Sequence, residues 1–242
     1  MSNLHRFFYT GRMAENSIVT LDADATKHIW QVLRMKEGDL ILLTDGNGTL
    51  ATGQIQFAEK HKCNVLIKSA PLQPRKNKQL YLCVSFTKNN SRNEWLLEKA
   101  TELGVGAIIP IATARCEKIH VRLDRWEKIL QSAILQSQQD YLPLLPPITP
   151  LATVLKQYAN IPQKLVAHCI DDAGKMPLRE MLKPDEDAIL LIGPEGDFTQ
   201  EEVNLCIAHG YKPVSLGSQR LRTETAGLMA AAYFNAITDV KS

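Results

Sequence analysis

Short apolar runs alternate with polar turns throughout the chain, and their spacing changes near residue 79. Before that point, runs rich in β-branched and aromatic residues predict strands over 5–10, 17–21, 39–44, 50–58 and 62–70, with one helix over about 24–35. Many short strands and one helix predict a small β-barrel. After it, strand and helix patterns alternate, which predicts a largely parallel sheet covered by helices. We therefore predict an α/β protein with domains 1–72 and 79–242, joined by a linker at 73–78.

The last third of the chain repeats the order strand, glycine loop and helix. A fully apolar run over 188–192 predicts a buried strand that ends at the sequence GPEG, and Thr199 with Glu202 has the spacing of a capping box for the next helix. A second strand over 212–216 ends at Gly217, and Thr223 is the predicted N-cap of a last helix reaching about 236. Ligands of open α/β sheets bind beyond the carboxyl ends of the strands. Both glycine loops are expected there.

Earlier elements of the second domain follow the same logic. Strands are predicted over 79–86, 107–112 and 164–170, and helices over 91–103, 122–139 and about 177–182. Ser91 and Glu94 have capping-box spacing, which predicts Ser91 as the start of the first of these helices.

Charge, apolar run length and cysteine spacing limit the classes of protein to which the chain can belong. The net charge is only +2, although residues 1–78 carry 11 basic and 7 acidic side chains, a bias compatible with RNA contact or with an ordinary solvated surface. No apolar run has the length of a membrane span, and the N-terminus lacks the apolar core of a signal peptide. The five cysteines are scattered and form no CxxC pair, so we expect a cytoplasmic protein without disulfides or a metal site.

The glycine loops lack the residues that bind phosphate. Neither a GxxxxGK[ST] loop nor a GxGxxG loop is present, and Glu195 would repel an anion. Backbone groups at the strand ends could bind an adenine edge, apolar Ile192, Leu216 and Leu221 could hold its faces, and a carboxylate tolerates a sulfonium. S-adenosylmethionine meets these requirements. The candidate cofactor-binding residues are Ile192, Gly193, Pro194, Glu195, Gly196, Leu216, Gly217, Leu221 and Thr225.

Several separated segments resemble one known family. GPEGDF followed by LGSQRLRTETA is similar to the signature of the SPOUT methyltransferases, and more narrowly of the RsmE family, which methylates N3 of a uridine in 16S ribosomal RNA. HRFF, HIWQVLRMKEGD, EKATELGV and PIATARC extend the resemblance over nearly the whole chain. Asp197 stands where that family usually has glycine, and aspartate is among the residues that tolerate left-handed backbone geometry.

The resemblance implies a fold, partners and a substrate. It implies a SPOUT-type α/β knot with a deep trefoil knot, preceded by a PUA-like β-barrel that binds RNA. It also implies a homodimer acting on 16S rRNA or the small ribosomal subunit, with no DNA and no membrane partner. Ala226, Ala230 and Ala231 form a small-residue face on the last helix that suits either a subunit contact or packing within one chain.

Methylation of uracil N3 indicates which side chains to seek. Because the transition state has the character of a uracil anion, a fixed cation near O2 or O4 would stabilise it; Arg222 is the first candidate and Arg115 the second. Glu224 could orient that arginine, accept the N3 proton, or serve only as a favourable charge at a helix N-terminus. The candidate RNA-binding residues are Arg6, His28, Arg34, Lys88 and Arg92.

Three other functions compete with this interpretation. A SPOUT enzyme of the same superfamily could methylate a ribose 2'-hydroxyl. A noncatalytic RNA-binding or ribosome-assembly factor could retain a vestigial cofactor pocket, although intact glycine loops argue against it. A nucleotide hydrolase is disfavoured by the missing phosphate-loop lysine.

Overall fold

A computed structural model describes residues 4–76, 78–117, 121–170 and 174–238. Contacts divide the chain into two units, Met1–Arg75 with Ile134–Leu142, and Lys76–Ala133 with Pro143–Ser242. The division after Arg75 falls inside the segment proposed as the linker, whereas residues 134–142, which the sequence assigned to the second domain, group with the first unit. Arg6 explains part of this grouping, because its Nη1 donates to the Gln139 carbonyl at 2.9 Å and to Asp140 Oδ1 at 3.0 Å.

The first unit contains a mixed five-stranded sheet. Its strands are β1 Arg6–Phe8, β2 Ile18–Thr20, β3 Leu40–Thr44, β4 Leu50–Glu59 and β5 Lys62–Ser69. They occur in the order β1-β3-β4-β5-β2, with β1 and β3 parallel and the other pairs antiparallel. Buried residues alternate along β4 and β5, as expected of a half-buried sheet. All five strands contribute residues to one apolar core, and the region predicted as a barrel is a five-stranded sheet with β1 and β2 at its edges.

The single helix predicted over 24–35 is divided into two parts. Helix α1, Ala23–Lys27, continues into a π-helical turn, His28–Leu33, which ends at Arg34 in a left-handed conformation with φ 54°. Ile29 is fully buried in the apolar core of the first unit, while its neighbour Trp30 is exposed. A π turn changes the hydrogen-bond register without changing the apolar pattern, so it could not be predicted from the pattern of hydrophobic positions.

The described residues of the second unit contain a parallel sheet of seven strands. Their bounds are β6 Leu80–Val84, β7 Ala107–Ala112, β8 Thr149–Pro150, β9 Gln163–Ala167, β10 Met176–Pro177, β11 Ala188–Ile192 and β12 Lys212–Ser215. They lie in the order β10-β12-β9-β11-β6-β7-β8. Every pair is parallel, which confirms the prediction of a parallel sheet covered by helices. All five residues of β11 are buried, as its continuous apolar run predicted.

Within the described ranges, six helices accompany this sheet along the chain. Their bounds are α2 Asn90–Glu102, α3 Leu123–Ser137, α4 Leu151–Gln157, α5 Leu178–Met181, α6 Gln200–Ala208 and α7 Thr223–Thr238. The sequence missed α4 and the two-residue strands β8 and β10. Thr149–Pro150 pairs with β7 by only two residues, and Pro150 directly precedes α4, so the proline-rich segment looked like an irregular break.

The helix starts test three capping predictions. Thr199 forms the predicted capping box, because its hydroxyl accepts from the Glu202 N–H while the Glu202 carboxylate accepts from the Thr199 N–H. The prediction for Ser91 is wrong, because the Asn89 side chain caps α2 by accepting from the Arg92 N–H. Thr223 is also not a cap but the first helical residue of α7, and its hydroxyl donates to the Gly193 carbonyl at 3.1 Å.

Candidate functional site

A cavity of about 1080 Å³ lies beyond the carboxyl ends of three neighbouring strands, β9, β11 and β12. Its walls are formed by residues 167–170, which end and follow β9, 192–197, which end and follow β11, and 214–223, which run from β12 to the start of α7. Arg92, Arg115, Lys175 and Ala226 complete the lining. Both predicted glycine loops therefore border one cavity, at the position where open α/β sheets bind ligands.

The loop after β11 is fixed by its own side chains. Asp197 has φ 63°, and its Oδ1 accepts from the Phe198 N–H at 2.9 Å. Its Oδ2 accepts from the Cys169 N–H at 2.7 Å, which ties this loop to the one after β9. Gly193 leaves room for that arrangement, because a Cβ there would lie 3.0 Å from the Phe198 ring and 3.2 Å from Asp197 Oδ1. Aspartate thus accommodates the left-handed geometry, as expected, and adds a link between loops.

The loop after β12 turns at a residue that requires glycine. Gly217 has φ 135°, a conformation that side-chain-bearing residues rarely adopt. The Ser215 hydroxyl bridges the turn, accepting from the Gly217 N–H at 3.2 Å and lying 3.1 Å from the Gly217 carbonyl, to which it can donate. The buried bond from Thr223 to Gly193 then joins this loop and α7 to the loop after β11.

Cations outnumber anions among the side chains that line the cavity. Arg115 Nη1 donates to the Gly196 carbonyl at 2.8 Å, and Lys175 Nζ donates to the His168 carbonyl at 3.0 Å. Arg220 and Arg222 are exposed, and their side chains make no hydrogen bond or ion pair with another described residue. The lining therefore suits a ligand that carries negative charge in addition to a cofactor.

The carboxylate of Glu224 lies beside Arg92 and not beside Arg222. Its Oε1 is 3.7 Å from Arg92 Nε, its side chain is 12% exposed, and its Oε2 is buried with no hydrogen-bond partner among the described residues. Glu224 does not line the cavity, whereas Arg92 does. The geometry therefore gives no support to Glu224 as the residue that orients Arg222, and Arg92 lies at the cavity in its place.

The structure brings together most of the candidate cofactor-binding residues. All of them line the cavity except Thr225, which is exposed on the first turn of α7. Of the residues proposed for chemistry, Arg115 and Arg222 line it. The sequence missed Ala167 to Ile170, Lys175 and Asp197, which also line it. Knowing that β9 lies next to β11 would have indicated residues 167–170, but strand order is not readable from the local pattern.

The other candidate RNA-binding residues are not gathered at this cavity. Lys88 Nζ lies 2.9 Å from Glu117, and the hydrogen bond and charge of that carboxylate raise the pKa of Lys88. In the first unit, Arg6 is occupied by the Gln139 carbonyl and the Asp140 carboxylate, and its side chain is only 11% exposed. His28 and Arg34 are exposed, with the His28 ring edge-on to Phe7.

The described residues contain no cluster of three or more His, Cys, Asp or Glu side chains placed to hold a metal ion. Among the helices in the described ranges, none combines the length and apolarity needed to cross a membrane.

Comparison with known proteins defines the class. Residues 74–235 match the family profile of an RNA methyltransferase domain, and residues 21–68 match that of an RNA methyltransferase PUA domain. The chain is thus an RNA methyltransferase with a PUA-like module and a SPOUT-like α/β domain, which confirms the predicted fold class; the knotted threading stays a prediction.

Relatives that match over nearly the whole of both chains identify the family within this class. The chain is 30% identical over 234 residues to the ribosomal RNA small subunit methyltransferase E of Rickettsia conorii, covering 94% of this chain and 93% of that protein. It is 30% identical to the Neisseria gonorrhoeae enzyme of that name, crystallised with S-adenosylmethionine, with a TM-score of 0.84 over 99% and 100% of the two chains. A Porphyromonas gingivalis protein described as an rRNA methyltransferase is 33% identical, with a TM-score of 0.89 over 98% and 99%. The chain belongs to the ribosomal RNA small subunit methyltransferase E (RsmE) family.

Proposed function

We propose that this chain transfers the methyl group of S-adenosylmethionine to N3 of a uridine in 16S ribosomal RNA of the small ribosomal subunit. The observation that carries the proposal is the single cavity bounded by both glycine loops, in a fold that a relative uses to bind S-adenosylmethionine. At about 1080 Å³, the cavity is at or above the upper end of ordinary small-molecule pockets, about 1000 Å³. That size fits a methyl donor together with a nucleotide.

The residues of the two loops fit the methyl donor. Ile192, Leu216 and Leu221 provide apolar surface for an adenine ring, and the backbone between them provides hydrogen-bonding groups. Glu195 lines the same cavity and gives a cationic sulfonium a compatible environment. S-adenosylmethionine supplies the methyl group, and the protein's task is to hold the donor in line with the target base.

Uracil N3 lies on the Watson–Crick edge, so the target uridine has to be unpaired or flipped out of a helix to reach the cavity. The N3 proton has to leave, and negative charge then spreads to O2 and O4. Arg222 and Arg115 line the cavity and are the proposed cations for that charge. Phosphate contacts to exposed basic residues should make RNA binding weaken as salt rises.

Labelled methyl transfer tests the function directly. Small subunits lacking the modification and naked 16S rRNA would each be incubated with the protein and labelled S-adenosylmethionine, and the modified nucleotide mapped by nuclease digestion and mass spectrometry. We expect 3-methyluridine. A methyl group on the ribose would instead support the 2'-hydroxyl alternative. Failure to bind S-adenosylmethionine in calorimetry would support a noncatalytic RNA-binding factor.

Arg222 can be tested separately. Arg222→Ala is expected to lower turnover much more than affinity for S-adenosylmethionine, because it removes charge stabilisation specific to the transition state. Equal loss of both would make Arg222 a cofactor-binding residue.

A cytoplasmic location and a homodimer complete the proposal, both supported by membership of the family. Ala226, Ala230 and Ala231 are already 8%, 2% and 1% exposed within the single chain. These three residues therefore pack inside one subunit, and a dimer would need another surface. Analytical ultracentrifugation of the full chain measures the oligomeric state.

A further inference from the structure

Arg92 lies between two carboxylates at the edge of the cavity. Its Nη1 is 2.7 Å from Glu195 Oε1, and its Nε is 3.7 Å from Glu224 Oε1. The three residues come from three elements: Arg92 from the first turn of α2, Glu195 from the loop after β11 and Glu224 from the first turn of α7. One guanidinium thus connects a helix to both segments that carry the cofactor loops.

The two carboxylates differ in exposure. The Glu195 side chain is 50% exposed and lines the cavity, so water and salt screen its ion pair and a ligand can displace it readily. The Glu224 side chain is 12% exposed and lies outside the lining. Of the two carboxylates paired with Arg92, only Glu195 borders the cavity that a substrate would enter, and Glu224 pairs with the guanidinium outside that lining.

Helices α2 and α7 form a rigid support for this pair. They pack closely enough that a Cβ on Gly227 would lie 3.1 Å from Leu96 Cδ1, and Asn235 Nδ2 donates to the Leu103 carbonyl at 2.8 Å. Because Arg92 and Glu224 stand on these helices, their separation is fixed by packing. Glu195 stands on a loop and is the member of the network that is able to leave.

We propose that Arg92 is a catalytic residue that exchanges Glu195 for O2 or O4 of the target uracil. This inference rests on the proposed function. In the reaction the N3–H bond breaks and its proton passes to water, the N3–CH₃ bond forms as the S–CH₃ bond breaks, and the sulfonium becomes a neutral thioether. The negative charge that develops on the uracil oxygen then lies beside the oriented guanidinium of Arg92, which stabilises the transition state.

Arg92 is better oriented for this role than the other arginines of the cavity. The Arg115 side chain already donates to the Gly196 carbonyl, and no hydrogen bond or ion pair to another described residue orients the Arg222 side chain. Electrostatic stabilisation is largest when the donor is held in place before the charge develops. Glu224 acts through Arg92 and is a positioning residue.

The test compares variants of the full chain, with labelled S-adenosylmethionine and unmethylated small subunits, both saturating. Arg92→Ala should lower kcat about 100-fold, the effect of losing one oriented donor to a developing charge. Affinity for S-adenosylmethionine, measured by calorimetry, should stay within about 3-fold, because the proposed contact of Arg92 is with the uracil and not with the cofactor. Arg92→Lys should recover part of the loss, since it keeps the charge but not the planar fork.

Arg125→Ala is the matched control. Like Arg92→Ala, this substitution removes an arginine that pairs with a glutamate, here Glu94 of α2. Because Arg125 does not line the cavity, the kcat of the Arg125→Ala variant should match that of wild type. Glu224→Gln should lower kcat in wild type but add nothing in an Arg92→Ala background, because Glu224 acts only through Arg92.

Three results would overturn the inference: a kcat for Arg92→Ala close to that of wild type, a loss confined to KM for the subunits, or effects of Arg92→Ala and Glu224→Gln that multiply. Thermal unfolding checks that the variants are folded, and Arg92→Lys carries the comparison if Arg92→Ala is not. Absence of methyl transfer by the wild-type chain would instead refute the proposed function.

Discussion

Asp197 offers a sharp test of how the cofactor loops are held. Its backbone is left-handed, with φ 63°, and its carboxylate accepts from the Cys169 N–H at 2.7 Å and the Phe198 N–H at 2.9 Å. Replacement by alanine removes both bonds and places a Cβ with no compensating side-chain bond in left-handed geometry. Each bond contributes about 1 kcal/mol, and the backbone strain costs about 1–2 kcal/mol. We expect Asp197→Ala to lower the free energy of unfolding by about 3–4 kcal/mol.

Two further substitutions separate these contributions. Asp197→Gly avoids the strain of the alanine variant but loses both bonds and gains flexibility in the unfolded chain, so a loss of about 2.5–3 kcal/mol is expected. Asp197→Asn tolerates the conformation and keeps one oxygen acceptor, so a loss of about 1 kcal/mol is expected. Asn16 provides the control, because it has the same φ of 63° and is exposed. Asn16→Ala should cost only the backbone strain, about 1–2 kcal/mol.

Urea unfolding followed by circular dichroism measures these losses, and calorimetry measures affinity for S-adenosylmethionine. Asp197→Ala should weaken cofactor binding as well, because the bond to Cys169 connects the loops after β9 and β11. Equal destabilisation of Asp197→Asn and Asp197→Ala, or wild-type unfolding of Asp197→Ala, would show that the Asp197 carboxylate does not hold these loops.

Three other predictions follow from the same site and its core. Thr223→Val should destabilise by about 1–3 kcal/mol in urea unfolding, because the buried Gly193 carbonyl loses a donor; wild-type stability would contradict this. Cys169 is exposed in the cavity, so S-adenosylmethionine should slow its alkylation by iodoacetamide, and an unchanged rate would place the cofactor elsewhere. Burial raises the pKa of Cys206 from 9.0 to about 12, so the thiol ionises first in the unfolded chain and its stabilisation is lost as pH rises from 9 towards 12. At pH 10 that loss is about 1 kcal/mol, and Cys206→Ala should reduce this pH dependence of unfolding.

Local pattern was enough to predict most elements. The bounds of β7 and β11 agree with the apolar runs over 107–112 and 188–192, because a strand buried on both faces is marked by every residue it contains. Thr199 capped its helix as predicted, because a capping box depends only on residues three apart. The glycine loops were located for a similar reason, since they directly follow such strands.

Side-chain partners were predicted less well, because they depend on which elements become neighbours. Arg92 and Glu195 are 103 positions apart, and sequence reasoning assigned Arg92 to RNA and Glu195 to the cofactor without connecting them. Cys169 and Lys175 line the cavity only because β9 lies between β11 and β12 in the sheet. Strand order is set by the packing of the whole sheet, and no local spacing encodes it.

The sequence by itself determined the kinds of elements, the two loops at strand ends and, through its resemblance to a family, the chemistry to expect. Hydrophobic periodicity and short-range hydrogen bonding act within a few residues, and the sequence displays both directly. Only the tertiary structure decided that Glu224 pairs with Arg92, that Asp197 joins two loops, and that Ala230 is buried within its own subunit. These arrangements depend on long-range packing, which brings together residues that nothing in their local sequence relates.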